Sequence, residues 1–231
     1  MSKILIPGLL MALCCTFAGC QKQPAEASTA KTSTPSKPEE KFPKPVVATK
    51  AYDGPFGLGT KMSLVELSEL GFKQTDYSPT IFVGDAPKPM DGVNEYAVVA
   101  TPQAGACRII ARVNVPLVND TGDQVKEKVD QLAELMSTKY GRHSSKTDFV
   151  TQDVYRRNPQ FWMMALKEDS AAYGYSWKTG KTEPALPADI DRIEIQALAV
   201  DTRTAWVSIK YTFKNFDACA AESKKSKAAN L

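Results

Sequence analysis

The chain has 231 residues, with 29 lysines and arginines against 26 aspartates and glutamates, and a formal net charge of +3 at pH 7. Because acidic residues are interspersed among the basic ones, this balance gives no reason to propose nucleic acid as a partner. The length beyond residue 50 suits one domain, since single domains usually have about 100 to 200 residues.

The N-terminus has the pattern of a signal peptide over residues 1–19. Lys3 supplies positive charge, and an uncharged, mostly apolar run follows from Ile4 to Phe17. The uncharged run to Gly19 is shorter than the roughly 18 residues that a membrane-spanning helix needs. We therefore predict that this segment is removed rather than retained as a membrane span.

The segment Phe17-Ala18-Gly19-Cys20 resembles the lipobox of bacterial lipoproteins, whose cysteine sulfur accepts a diacylglyceryl group before cleavage. The family usually has leucine in place of Phe17, and this apolar change is commonly tolerated. The resemblance implies cleavage before Cys20 and a membrane anchor of lipid on that cysteine. Several acyl chains on one residue hold firmly, at about 0.8 kcal/mol per buried methylene. The alternative is an ordinary secretory signal that releases a soluble protein.

Two earlier cysteines, Cys14 and Cys15, are rival acceptors of the lipid. The residues before them are poorer cleavage residues than Gly19, and cleavage there would cut the apolar run short. Gln21 follows the preferred anchor, where many lipoproteins retained in the inner membrane have aspartate. By resemblance we expect the cell envelope, on the periplasmic face of the outer membrane if the organism has one.

Residues 20–50 combine the lipidated cysteine with a predicted disordered tether. The segment is rich in proline, lysine, serine and threonine, and Phe42 is its one aromatic residue, so it cannot bury enough surface to fold. A flexible chain of this length would separate its ends by roughly 30 Å, and five prolines should stiffen it. Contact of its lysines with anionic head groups or cell-wall polymer is the less favoured interpretation.

Residues 51–220 have the pattern of a single α+β domain. Ser63 and Glu66 form a capping-box pair, and leucines at helical spacing end at Gly71, which predicts a short helix over 63–70. Two alternating runs, Tyr96–Thr101 and Cys107–Val115, enclose turn residues and predict a β-hairpin. In the second run, Cys107 falls on one face with the alternating apolar residues.

A long amphipathic helix and three further strands complete the predicted domain. Apolar residues recur at spacings of three and four from Thr121 to Tyr140, with Asp120 or Thr121 as the cap and Gly141 as the end. Residues 171–177, 190–200 and 205–213 alternate as strands. The order predicts an antiparallel sheet of about five strands with the long helix packed on one face. We predict a disordered tail over residues 221–231.

The domain retains two cysteines, Cys107 and Cys219, which we predict to form a disulfide because an exported protein can oxidise them. The bond would close a loop of over a hundred residues, worth roughly 4 to 5 kcal/mol in the chain-entropy model. It needs the two Cα atoms within about 7 Å, so the end of the strand over 205–213 must return to the start of the Cys107 strand, which antiparallel neighbours could achieve. The alternative is two thiols that never meet.

The sequence offers no constellation that would carry catalysis, and we predict no catalytic residue, metal site or cofactor. His143 is the one histidine, and no cysteine or carboxylate stands near it at metal-ligand spacing. Ser144 and Ser145 beside it have no nucleophile-elbow motif. Asp189 and Asp191 could share a strand face, but paired carboxylates at a strand start are commonplace surface features. We interpret His143 as a surface loop residue.

The cluster Phe161-Trp162-Met163-Met164 is compatible with a ligand groove, because methionine and aromatic side chains suit adaptable binding. Packing in the core is the favoured interpretation, since apolar residues inside a domain need no further explanation.

Several short motifs resemble a family of uncharacterised bacterial exported proteins. They are Asp53-Gly54-Pro55-Phe56-Gly57-Leu58, the segment from Met62 to Gly71, Lys139-Tyr140-Gly141, and the closing residues from Tyr211 to Phe216 with Cys219. The resemblance covers most of residues 52–219 and implies no activity. The Met62 segment also resembles a helix of small lipoproteins that assist outer-membrane barrel assembly, but Lys61 stands where those proteins have glycine, and their function is not carried over.

Two classes of function follow. The first is a non-catalytic lipoprotein that binds an envelope protein or cell-wall component through the sheet or through the Trp162 region. The second is a lipid-anchored hydrolase that uses carboxylates alone on a cell-envelope polymer. A pocket with two converging carboxylates, one with a raised pKa, would favour the second, and a flat or apolar groove without them would favour the first.

Overall fold

A computed structural model describes residues 53–229 of the chain. The predicted signal peptide, Cys20 and the tether lie outside the described residues, as do the last two residues. The structure does not test those predictions.

One antiparallel sheet of eight strands organises the described residues, in the spatial order β1-β2-β3-β4-β8-β7-β6-β5. Its strands are β1 Lys73–Thr75, β2 Ser78–Gly84, β3 Glu95–Thr101, β4 Gly105–Val115, β5 Ser145–Val150, β6 Ala171–Lys178, β7 Ile190–Ala199 and β8 Ala205–Phe213. The α+β class is confirmed, but the prediction of about five strands is wrong. Of the three missed strands, β1 and β5 are the edge strands and β2 lies next to β1, and their low burial removes the apolar alternation that identifies a strand.

Five α-helices accompany the sheet: α1 Leu64–Glu69, α2 Asp123–Tyr140, α3 Asp153–Arg156, α4 Trp162–Lys167 and α5 Phe216–Ala228. Helix α1 begins with the predicted capping box, in which Ser63 and Glu66 satisfy each other's backbone N–H groups. Helix α5 corrects the prediction of a disordered tail, because residues 221–228 are helical. None of the helices within residues 53–229 is long and apolar enough to cross a membrane.

Helix α2 begins two residues later than predicted and has a different cap. Gly122 occupies the cap position with a φ of 70°, in the left-handed region that glycine adopts readily. The Asn119 side chain accepts a hydrogen bond from the Asp123 N–H at 2.9 Å. A side chain at Gly122 would collide with the ring of Trp162, so close packing of α4 decides where α2 starts.

The core lies between one face of the sheet and the helices α1, α2 and α4. Helix α2 buries Val125, Val129, Leu132, Met136 and Tyr140, and the sheet supplies mostly aliphatic residues, among them Ile109, Ile193, Ile195, Val207 and Ile209. Trp162 and Met163 belong to this core, as predicted, whereas Phe161 and Met164 are exposed. We call this side of the sheet the covered face, and it buries the alternating apolar residues of β4, β7 and β8.

Strands β4 and β8 pair antiparallel, with Ala111 opposite Ile209 and Val115 opposite Ala205. This is the strand arrangement that the predicted disulfide required. The pairing joins residues about a hundred positions apart, and it brings the end of β8 back to the beginning of β4.

Candidate functional site

The second face of the sheet lies opposite the face that α2 and α4 cover, and we call it the open face. On β8, core residues alternate with Trp206, Ser208, Lys210 and Thr212, which point to the opposite side. The corresponding residues of β4 and β7 are Arg108, Ile110, Arg112 and Asn114, and Arg192, Glu194, Gln196 and Leu198. An antiparallel sheet can carry one solvated face, but this one has an uneven distribution of charge.

Four basic side chains gather at the centre of the open face. Arg108 and Arg112 lie on β4, Lys210 on β8 and Arg192 on β7. Lys210 is opposite Ile110, so it is the diagonal neighbour of both Arg108 and Arg112. Diagonal positions across an antiparallel pair are about 7 to 8 Å apart, within reach of long side chains. We call these four residues, with the Ser208 and Thr212 hydroxyls between them, the basic patch.

The basic patch has fewer carboxylates than cations. Glu95 pairs with Arg112, and Glu194 lies 3.6 Å from Arg192, which leaves a net charge of +2. The other two cations form no salt bridge within residues 53–229, although Glu194 lies opposite Lys210 on β7, and their hydrogen-bond partners are neutral. Arg108 Nε donates to the Thr212 hydroxyl at 3.2 Å, and Lys210 Nζ donates to Gln196 Oε1 at 2.8 Å.

Burial and like charges act together on these two cations. Burial lowers the pKa of Lys210, and the positive charges of Arg108 and Arg112 lower it further, against the opposing effect of Glu194. The pKa of Arg108 is also lowered by burial, with a contribution from Arg192. The charged forms are therefore held at some cost, which an added negative charge would relieve.

Two buried polar atoms of the basic patch have no hydrogen-bond partner among the described residues, namely Ser208 Oγ and Arg192 Nε. Ser208 is only 1% exposed although it faces away from the core. Its neighbours on this face are Arg112 and Gln196 on the adjacent strands and Trp206 and Lys210 on β8, and long side chains at such positions can cover a small one. An unsatisfied buried hydroxyl costs about 1 to 3 kcal/mol. These two atoms could therefore gain free energy from hydrogen bonds that the protein itself does not provide.

Apolar residues border the basic patch on one side of the open face. Trp206 on β8 lies beside Leu198 on β7. Beyond a small cleft that Leu198 and Ala172 line, Ala172 on β6 lies beside Phe149 on the edge strand β5. Leu198 and Phe149 are 39% and 49% exposed. The open face thus combines a charged centre with an exposed apolar border.

The disulfide between Cys107 and Cys219 joins β4 to α5, with the two Cα atoms 6.5 Å apart. The bond confirms the predicted pairing of the cysteines, but not the predicted face. Val99 pairs with Arg108 and Ala100 with Ala106, so Cys107 is the extra residue of a β-bulge. A bulge interrupts alternation and re-aims a side chain, and Cys107 therefore bonds Cys219 instead of joining the apolar cluster.

Polar contacts hold α5 at the same end of the sheet. Glu222 accepts hydrogen bonds from the N–H groups of Gln103 and Ala104 in the β3–β4 turn. The Thr101 hydroxyl and then these N–H groups lower the pKa of Glu222. The Phe216 ring stacks 3.9 Å from the guanidinium carbon of Arg108, so α5 forms one border of the basic patch.

A separate cleft of about 590 Å³ lies beside the first described residues. Asp53 and Asp189 line it together with Lys88, Lys139 and other residues. On other parts of the surface, hydrogen bonds lower the pKa values of Asp123, Asp201 and Glu222. A lowered pKa stabilises the ionised form and does not supply a general acid.

His143 is better packed than the predicted surface loop position. Its ring lies 4.7 Å from that of Tyr175 in an edge-on arrangement. Burial lowers its pKa, and the positive charges of Arg142 and Lys146 lower it further, so it is mainly neutral at pH 7. Ser144 Oγ donates to the Ser176 carbonyl, which gives this hydroxyl a structural partner.

No group of three or more histidine, cysteine, aspartate or glutamate side chains within residues 53–229 could hold a metal ion. No family model matches the chain, and neither the curated proteins nor the solved structures contain a match. The resemblance to exported bacterial proteins therefore stays a prediction.

The sequence reasoning missed the basic patch. A usable signal was present in the polar positions of two predicted strands, where Arg108, Arg112 and Lys210 alternate with core residues. Alternation alone predicts a solvated face. Only the pairing of β4 with β8 brings these three cations together.

Proposed function

We propose that this chain is a lipid-anchored lipoprotein of the bacterial cell envelope, held by lipid on Cys20 at the periplasmic face of the outer membrane. Its domain acts as a non-catalytic binding module that contacts another envelope component through the open face. The tether over residues 21–50 carries the domain away from the membrane surface.

The disulfide supports export. Bonds such as Cys107–Cys219 persist in oxidising compartments and are rare in the cytosol, where thiols are kept reduced. This observation agrees with the signal-peptide and lipobox patterns at residues 1–20, which rest on the sequence alone.

The observation that carries the binding proposal is the mixed character of the open face. Exposed Leu198 and Phe149 lie to one side of charged groups whose positive charges outnumber the negative ones. Exposed apolar surface rimmed by polar residues is typical of interaction sites. The Trp162 region is less suitable, because Trp162 is buried in the core and Lys126 Nζ lies 4.0 Å from its ring.

A carboxylate-dependent hydrolase remains the second candidate, and the cleft lined by Asp53 and Asp189 is the observation that favours it. The two proposals differ in which surface matters. An Asp53→Asn, Asp189→Asn double variant should still crosslink to its partner if the domain is a binding module. It should lose cleavage of envelope polymer if the domain is a hydrolase.

The anchor is tested by metabolic labelling with a clickable fatty acid. Cys20→Ala should abolish label and leave the precursor uncut or released from membranes. The matched control, Cys14→Ala with Cys15→Ala, should label normally. Label and membrane association in the Cys20→Ala protein would show that the lipid acceptor is another residue.

The binding surface is tested by photocrosslinking in intact cells. Thr147 pairs with Gly174, which pairs with Gln196, so it lies on the open face. A photoreactive residue at Thr147 should capture one discrete partner, whereas the same residue at Lys128 on α2 should not. Competition by excess unmodified domain should remove the product. Equal capture at both positions, or capture only at Lys128, would contradict binding through the open face.

A further inference from the structure

We infer that the basic patch binds a phosphoryl group carried by a polar ligand such as a sugar phosphate. The inference rests on the proposed function, and it names the chemistry that the open face recognises. It concerns Arg108, Arg112 and Lys210 as the binding cations and Ser208 as the neutral donor.

The three cations occupy two neighbouring strands in a triangular arrangement. Ile110 lies between Arg108 and Arg112 on β4 and faces Lys210 on β8. In the structure Arg112 contacts Glu95 on β3 and Lys210 contacts Gln196 on β7, so a ligand in the space above Ile110 would draw both charged ends from these partners. Diagonal positions of a sheet are within reach of such long side chains. Arg108 and Lys210 form no salt bridge within residues 53–229, and Glu194 is the carboxylate that faces Lys210, so positive charge exceeds negative charge around this space.

The Ser208 hydroxyl gives a second and independent indication of a ligand. It is nearly fully buried and without a partner in the described part of the chain. It lies opposite Arg112 and two residues from Lys210, so it points to the same space as the cations. A hydroxyl can donate to an anionic oxygen, and this bond would satisfy the group that the fold itself leaves unpaired.

The number and arrangement of the donors favour phosphate over carboxylate. A carboxylate has two oxygens in one plane and is matched by a single arginine fork. A phosphoryl group has at least three outward oxygens, which three cations and a hydroxyl can approach from several directions. The apolar border at Trp206 offers a surface for the remainder of the ligand, because aromatic rings pack well against apolar faces.

The burial of Ser208 favours a single ligand over a membrane surface. The hydroxyl is recessed beneath the long side chains around it, at 1% exposure. A bilayer presents its head groups as a broad layer and would meet the outer side chains first. A phosphate on a separate molecule can enter between them, and we commit to that source.

The test measures binding of glucose 6-phosphate to the full mature chain in detergent by calorimetric titration, with glucose and sodium chloride at matched ionic strength as controls. Glucose 6-phosphate should bind saturably, and the two controls should not. Lys210→Gln should weaken the affinity on the order of tenfold, and Lys210→Arg should restore much of it. Lys128→Gln, which removes the same charge from α2, should leave the affinity unchanged.

Ser208→Ala separates a built site from general attraction to positive charge. It leaves the net charge intact, so a several-fold loss of affinity with unchanged melting temperature would support the site. Equal affinity in Ser208→Ala, or equal losses in Lys210→Gln and Lys128→Gln, would overturn it. Binding to phosphatidylglycerol vesicles without binding to glucose 6-phosphate would also overturn it. If one of these results is obtained but the crosslink at Thr147 persists, the phosphate proposal is wrong and the proposed binding function is still supported.

Discussion

The two faces of one sheet follow opposite chemical rules, although the same strands build both. On β8, Ile209 is fully buried against the helices, and its neighbour Ser208 is buried on the other side beneath charged side chains. The covered face closes around apolar groups that need no partner. The open face contains polar groups that the fold leaves partly unsatisfied. Stability is therefore expected to depend mainly on the covered face, and recognition on the open face.

The largest effect on stability is expected from the disulfide, which does not belong to the covered face. It joins β4 to α5 at one end of the open face. It closes a loop with a sequence separation of 112 residues. The chain-entropy model assigns roughly 4 to 5 kcal/mol to such a loop. Reduction should lower the melting temperature by roughly ten degrees at this domain size.

Calorimetry with and without reductant measures this change. A Cys107→Ala, Cys219→Ala double variant is the control and should be insensitive to reductant. Two titratable thiols in the native, unreduced protein would show that the bond is absent from the mature chain.

The next effect concerns the covered face. Ile209→Ala removes a fully buried side chain from the centre of the core and leaves a cavity beneath α2. The free energy of unfolding should fall by about 3 kcal/mol, since buried isoleucine truncations cost about 2 to 5 kcal/mol. Urea denaturation measures it. A change below about 1 kcal/mol would mean that the covered face is not the main source of stability.

A smaller effect is expected at the attachment of α5 to the sheet. Glu222→Gln should weaken the bonds to the Gln103 and Ala104 N–H groups, with a loss below about 1 kcal/mol because the site is solvent-exposed. The folded-state pKa of Glu222 is lowered, so its stabilisation is present above the unfolded pKa and is lost as pH falls through the folded value. Melting curves of variant and parent should converge toward acidic pH. A deficit that stays constant down to pH 2 would contradict the role of the carboxylate charge.

The smallest effect on stability is expected one residue from Ile209. Ser208→Ala removes a buried hydroxyl that has no partner within residues 53–229. Its loss should change the free energy of unfolding by less than about 0.5 kcal/mol, or raise it slightly, because no native hydrogen bond is broken. The same urea titration compares the two neighbours directly. A large loss of unfolding free energy in Ser208→Ala would show that the open face also contributes strongly to stability.

Local patterns predicted the elements that the core requires. The long helix, the capping box at Ser63 and the hairpin of β3 and β4 are confirmed within one or two residues at most boundaries. Helix α5 was missed because Cys219 is its one buried residue, so no apolar stripe marks it. Edge strand β5 was missed for the same reason.

The sequence by itself determined which residues could form the core, because burial requires a period of two in strands and about 3.6 in helices. It also supplied the pairing of Cys107 with Cys219, since two domain cysteines leave one possible bridge. Only the tertiary structure decided that β4 lies beside β8 and that Arg108, Arg112 and Lys210 share one patch. Periodicity is a local property of the chain, whereas strand neighbours are chosen by contacts across roughly a hundred residues, which no local pattern records.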